Sequence, residues 1–173
     1  MKVYFDTEFT DFVIDPALIS IGFRAEDGRE FYAELNDTYD ESMCSWFVIE
    51  TVLPSLWGAE YELSMKDLAS KLKVWIEEFG EPVKLFADAP SYDWQWIFEI
   101  FEQAECEWPS NLVRNCENTQ DLDGVSVRDQ YNQAYEEFWL FNFEAGAVRH
   151  HALWDARCIQ YAHRSATEVE MAE

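Results

Sequence analysis

Positive charge is scarce in this chain. Its 173 residues hold 12 Lys and Arg against 35 Asp and Glu, a formal charge of −23. A protein that grips long nucleic acid along an electrostatic groove carries a basic footprint, so this balance argues against long duplex partners. Repulsion at long range also slows the approach of a polyanion, and two divalent cations would offset only a small part of it. Long apolar runs are missing too. No stretch of about 18 apolar residues exists, which excludes a membrane-spanning helix. The apolar stretch after Lys2 is broken at once by Asp6 and Glu8, so no secretion signal is expected. Cysteine is sparse: Cys44, Cys106, Cys116 and Cys158 form no Cys-x-x-Cys pair, and their spacing suggests no zinc site. Reduced thiols in a cytoplasmic protein follow as the expectation. Internal repeats and low-complexity tracts are absent as well.

What the chain does hold is apolar and aromatic. A hydrophobic share of 49% and an aromatic share of 17% describe a packed globular protein, and the length fits one domain with a proper core. We expect that domain over residues 1–165, with a frayed polar tail over 166–173. Strand signals fall at 2–8, 17–23 and 30–35, the last two joined by the turn residues Glu26-Asp27-Gly28-Arg29. Three strands in succession predict an antiparallel meander. Helices and strands then alternate. A short helix is expected over 45–53, stopped by Pro54. A second helix runs over 64–79, capped by Ser64 with Asp67 and ended by Gly80. A strand at 83–88, a helix at 91–103 and a short strand at 112–116 follow. Residues 119–145 read as partly helical, and a last helix runs from about 150 to 164. The fold class is therefore α/β, a mixed central sheet with antiparallel N-terminal strands, flanked by helices.

Four acids and a histidine stand out from this framework. Asp6 and Glu8 lie two apart on a strand, so both point to one face, with Thr7 turned away. A lone Asp-x-Glu is often only a solvated strand face. Asp93 follows a strand, in Ser91-Tyr92-Asp93-Trp94, where a helix N-terminus would favour any acid; Asp88, at the end of that strand, competes with it. Asp155 follows His150 by five residues, and a helix starting near His150 would leave that ring at the helix mouth. Carboxylates gathered at one point repel each other unless something positive sits between them, and hard divalent ions such as Mg²⁺ and Mn²⁺ prefer oxygen ligands. The stretch from Arg149 to Arg164 has three Arg against one Asp and contains all three histidines. It is either the basic outer face of a helix or a basic wall beside the acidic site.

Asp6-x-Glu8, Asp93 after a tyrosine and His150-x-x-x-x-Asp155 together resemble the DEDDh branch of the DnaQ-like 3′–5′ exonucleases. The likeness is greatest to small bacterial and phage exoribonuclease-like members. It also rests on Phe5-Asp6-Thr7-Glu8-Phe9, Leu18-Ile19-Ser20-Ile21-Gly22, Ser45-Trp46 with Val52-Leu53-Pro54, and the His-x-Ala-Leu-x-Asp-Ala-Arg frame beginning at His150. It spans residues 2–162, but 104–145 carry none of it. The resemblance implies an RNase H-like fold, two Mg²⁺ or Mn²⁺ ions held by Asp6, Glu8, Asp93 and Asp155, and His150 as general base. It also points to Phe9, Thr7 and Trp46 as substrate contacts. His151, a second histidine beside the first, departs from the common pattern and contends for the role of base.

The function implied is hydrolysis of short or 3′-overhanging single strands, RNA ahead of DNA, to nucleoside 5′-monophosphates. Two ions about 4 Å apart suit phosphodiester hydrolysis by stabilising the attacking and leaving oxygens, and an imidazole titrates where a base must. An acidic mimic of DNA that blocks a nucleic-acid-binding partner is the alternative from another class. A degenerate nuclease fold kept for binding is a third, which the presence of all five positions disfavours. Among the eight Trp, exposed ones would suit a homodimer contact; no membrane partner is expected.

Overall fold

The pleat of the first strand assigns its residues to two different sides of the sheet. In the computed structural model, which describes residues 1–12 and 15–170, that strand is β1 (Lys2–Phe9). β2 (Leu18–Ala25) and β3 (Glu30–Leu35) follow, each antiparallel to the one before, as the three strand signals predict. The chain continues through β4 (Glu62–Leu63), α1 (Met65–Glu77), β5 (Val83–Ala87), α2 (Pro90–Gln103), β6 (Leu112–Asn118), α3 (Val125–Asn142) and α4 (Ala152–Glu170). The sheet order is β4-β3-β2-β1-β5-β6. β5 runs parallel to β1, and β6 parallel to β5. β1 and β5 therefore end at the same edge, where loops and helix starts gather.

Val3 and Phe5 point to one face and form the main core with Leu68, Leu72 and Ile76 of α1 and Trp96, Ile97, Ile100 and Phe101 of α2. Each such fully buried side chain contributes about 1.5–3 kcal/mol. Tyr4, one residue out of phase, packs on the opposite face with Phe86 and Ile159 of α4. α3 covers α4 in turn, through Val127, Tyr131 and Ala134 against Ala162 and Ala166. α4 lies very close to the sheet at one point. Gly22 pairs with Asp6 across the β1–β2 ladder, and a Cβ at position 22 would overlap the backbone of Ala152 and Leu153.

Local chemistry explains most boundaries. Ser64 Oγ accepts the Asp67 N–H at 3.1 Å and caps α1 as predicted, and Gly80 takes the left-handed conformation beyond its end (φ +65°). Other boundaries differ from the expectation. The helical segment after Ser45 winds as a π-turn over Val48–Val52 and tightens to a 3₁₀ turn over Leu53–Ser55. Pro54 lies inside that turn, because a residue opening a new turn needs no N–H donor. β4 carries no alternation to read; its two residues become a strand only by pairing with Glu34 and Leu35. α4 starts two residues later than expected and continues to Glu170, so 166–170 are helical rather than frayed; 171–173 lie outside the described residues. All four cysteines are unpaired thiols. Among the described residues no helix is long and apolar enough to cross a membrane.

Candidate active site

Five carboxylates meet at the common edge of β1 and β5. Asp6 and Glu8 come from β1, Asp88 from just beyond β5, Asp93 from the first turn of α2 and Asp155 from the first turn of α4. Oxygens of Asp6, Glu8 and Asp155 lie within 4.8 Å of one another, and so do those of Asp6, Asp88 and Asp93. Asp6 belongs to both groups. Two of the acids are held by donors. The His151 main-chain N–H donates to Asp155 Oδ2 at 2.9 Å. On the far side of the strand, the Thr7 hydroxyl donates to Asp93 Oδ1 at 2.6 Å. The pleat does turn Thr7 away from Asp6, but α2 arrives from that side and brings Asp93 with it.

Electrostatically this is a strained cluster. Asp93 and Asp155 are buried, at 3% and 9% exposure. Burial pushes Asp6 and Glu8 well above the usual carboxylate range, and the neighbouring acids push them further. Asp93 and Asp155 rise for the same first reason, although the bonds from Thr7 and His151 pull them back. Burial raises Asp88 too. Among the described residues none of the five is in an ion pair with Lys or Arg. A set of desolvated oxygens with no cation of its own matches the ligand chemistry of a hard divalent ion.

The acids floor a cleft of about 670 Å³. Its walls are aromatic: Phe9, Phe12, Phe47, Tyr92 and Tyr135. Phe12 meets Phe9 and Tyr92 edge-on, at 5.1 and 5.3 Å between ring centroids. His150 stands at the rim in a left-handed conformation (φ +59°), edge-on to Phe47 at 4.9 Å. Burial, and then the Arg149 guanidinium, lower its pKa below the ordinary 6.5.

The structure separates the three histidines that the sequence leaves together. His150 faces the cleft, His151 is fully buried against the rings of Tyr32 and Trp57, and His163 lies beside the Tyr4 hydroxyl at 3.0 Å, away from the acids. Phe9 and Thr7 line the cleft, as do Ser45 and Phe47; Trp46 is exposed and is not among the lining residues. Asp88 and Asp93 compete in the sequence, yet both reach the cluster. The strand end that carries Asp88 was the available signal, since ligands gather at the carboxyl ends of parallel strands. Tyr135 had no such signal, because it comes from the stretch without recognisable pattern.

A mixed six-stranded sheet in this order, with helices on both faces and acids at the ends of its central strands, is an RNase H-like fold with a multi-carboxylate centre. The chain belongs to the Rv2179c-like 3'-5' exoribonuclease domain family, whose model matches residues 1–166. It is 34% identical over 100 residues to the 3'-5' exoribonuclease Rv2179c of Mycobacterium tuberculosis strain H37Rv, covering 54% of this chain and 56% of that protein. The 3'-5' exoribonuclease MT2234.1 of strain CDC 1551 aligns with the same identity and coverage. The chain thus spans about half the length of the curated relatives it matches.

Proposed function

We infer that the protein is a metal-dependent 3′–5′ exoribonuclease of the DEDDh type. It acts on short or 3′-overhanging single strands and releases nucleoside 5′-monophosphates. One observation carries this: two groups of carboxylates share Asp6 on the floor of a cleft with His150 at its rim. Asp6, Glu8 and Asp155 would hold one Mg²⁺ or Mn²⁺, and Asp6, Asp88 and Asp93 a second, which adds Asp88 to the four acids of the resemblance. When bound, these ions supply charge stabilisation at the attacking and leaving oxygens.

The chain's own residues do the rest. His150 accepts a proton from the attacking water, and its lowered pKa keeps the ring neutral and receptive at pH 7. Thr7 and the His151 N–H fix the directions of Asp93 and Asp155. The aromatic walls, Phe9 among them, stack the terminal bases, a contact that tolerates sequence and needs no basic surface. This is how a chain of charge −23 holds a polyanion by its end. Trp46, exposed beside the lining residues Ser45 and Phe47, stacks a base further upstream. The names of the relatives favour RNA over DNA. Free thiols fit a cytoplasmic setting. The acidic-mimic alternative loses ground, because five of the acids converge in one cleft rather than spreading along a surface.

The test is a 5′-labelled RNA oligonucleotide with Mn²⁺ or Mg²⁺, beside the same sequence as DNA and a 3′-phosphorylated RNA. Stepwise shortening from the 3′ end, slowed strongly by the 3′ block and stopped by EDTA, is expected. Mid-length products at early times would point to an endonuclease instead.

A further inference from the structure

The His151 ring makes no hydrogen bond to the carboxylates; only its main-chain N–H does. Its ring is fully buried. Tyr32 stacks on its face, 4.5 Å away and 22° from parallel, and Trp57 lies 4.5 Å away at a tilt of 41°; Tyr32 and Trp57 are themselves 5.0 Å apart, so the three rings form one cluster. The cluster is anchored in the sheet. Glu34 of β3 accepts the Tyr32 hydroxyl at 2.9 Å, the Trp57 N–H at 2.6 Å and the Gly58 N–H at 3.0 Å. The same loop reaches the neighbouring residue: the Ser55 hydroxyl shares its proton between the Val52 carbonyl at 2.8 Å and the His150 carbonyl at 3.0 Å. Both nitrogens of the His151 ring are buried and, among the described residues, neither has a hydrogen-bond partner. The ring is therefore used for its packing surface.

We propose that His151 is a positioning residue: an aromatic plate packed into one cluster with Tyr32 and Trp57, which holds His150 in its left-handed turn over the cleft and keeps the 151 N–H on Asp155. A left-handed conformation is unfavourable for a residue with a side chain, so His150 needs its neighbours held on both sides. The Ser55 bond acts on its carbonyl, and the ring cluster fixes the residue that follows. The ring does not carry protons. A phenyl ring of similar shape does the same work and removes two buried nitrogens left without partners, each of which costs stability.

The inference rests on His150 acting at this cleft, so the test uses one readout that needs no activity. In the metal-free protein, a ¹H nuclear Overhauser contact between the rings of His150 and Phe47 reports the turn. It is expected in wild type and in His151→Phe, and lost in His151→Ala and in Trp57→Leu. With RNA and Mn²⁺, His151→Ala is expected to lower kcat about a hundredfold, the scale of a misplacement of about 1 Å, with KM unchanged. His151→Phe should stay within about threefold of wild type, as a shape-conserving swap allows, and melt at a higher temperature. Trp57 is partly exposed, so Trp57→Leu keeps the question open to measurement if His151→Ala does not fold. A ring contact that persists in folded His151→Ala or Trp57→Leu overturns the proposal. So does His151→Phe losing as much activity as His151→Ala. Inactive wild type with the expected pattern of ring contacts would sink the nuclease assignment and leave the positioning role standing.

Discussion

Asp6→Asn probes the electrostatics of the cleft most cleanly. Asp93 and Asp155 each hold a hydrogen bond that a substitution would also remove, whereas Asp6 stands at the centre of both groups. In metal-free buffer every buried acid there opposes folding once it is charged. Asp93 and Asp155, ordinarily at 3.8, are pushed up to about 7, mainly by burial. That displacement corresponds to about 4 kcal/mol against the charged form of each. Removing Asp6 relieves its own desolvation and its repulsion of four neighbours, but not their burial. A gain of about 1–3 kcal/mol at pH 8 is the expected share; at about 2–4 °C per kcal/mol for this chain length, the melting temperature rises by about 2–12 °C. The sign with pH follows from linkage. Carboxyls whose folded values exceed their unfolded ones leave stability intact below about pH 4, and it falls as pH rises toward the folded value near 7. The advantage of Asp6→Asn should therefore be small at pH 4.5 and larger at pH 8. Taking the difference from wild type removes the contribution of surface acids such as Glu30 and Glu77, whose lowered values act the opposite way. Thermal melts by circular dichroism in EDTA measure it. Repeating them with Mn²⁺ should raise wild type strongly and the variant little. A variant that melts below wild type in EDTA at pH 8, or whose advantage does not change with pH, would refute the electrostatic account.

Other outcomes are expected in single-turnover assays on RNA. His150→Ala should lose about 10²–10⁴-fold in rate, the usual scale of general base catalysis. In wild type the acidic limb of the pH profile should lie below 6.5, because burial and Arg149 favour the neutral ring; a limb above 7 would contradict that environment. Thr7→Val removes the 2.6 Å bond to Asp93, and a hydrogen bond to a charged group is worth about 1.5–3 kcal/mol. Activity should drop on the order of tenfold or more while the metal-free protein keeps its far-UV spectrum. Oligonucleotide affinity should fall only shallowly with salt, since base stacking and not counterion release holds the strand; a slope of several units would reveal a basic surface.

Much of the site can be read from the sequence where short-range geometry governs it. Two residues along a strand share a face, so Asp6 and Glu8 converge whatever the rest of the fold does. The Ser64 cap and Gly80 bound α1 by local hydrogen bonding. Tertiary placement is harder. Asp88 and Asp93 look like alternatives because nothing local says that a strand end and a helix start face the same point. His150 and His151 are chemically equivalent in the sequence, and only the approach of Tyr32 and Trp57, from a strand and a loop far earlier in the chain, buries one of them. Tyr135 enters the cleft because α3 packs on α4; the buried positions Val127, Tyr131, Ala134 and Phe138 follow helical spacing, but nothing local says where that helix docks. β4 exists only by pairing.

Gly22 sits opposite Asp6 on the neighbouring strand, and the start of α4 rests directly against it. The span between the acids of β1 and the acid of α4 is thus gauged by an atom that is not there. A single methyl at position 22 would act as a shim beneath the helix, lifting Asp155 from Asp6 and Glu8 while changing no polar group. Tolerances in this cleft are set from beneath, by the thickness of a glycine.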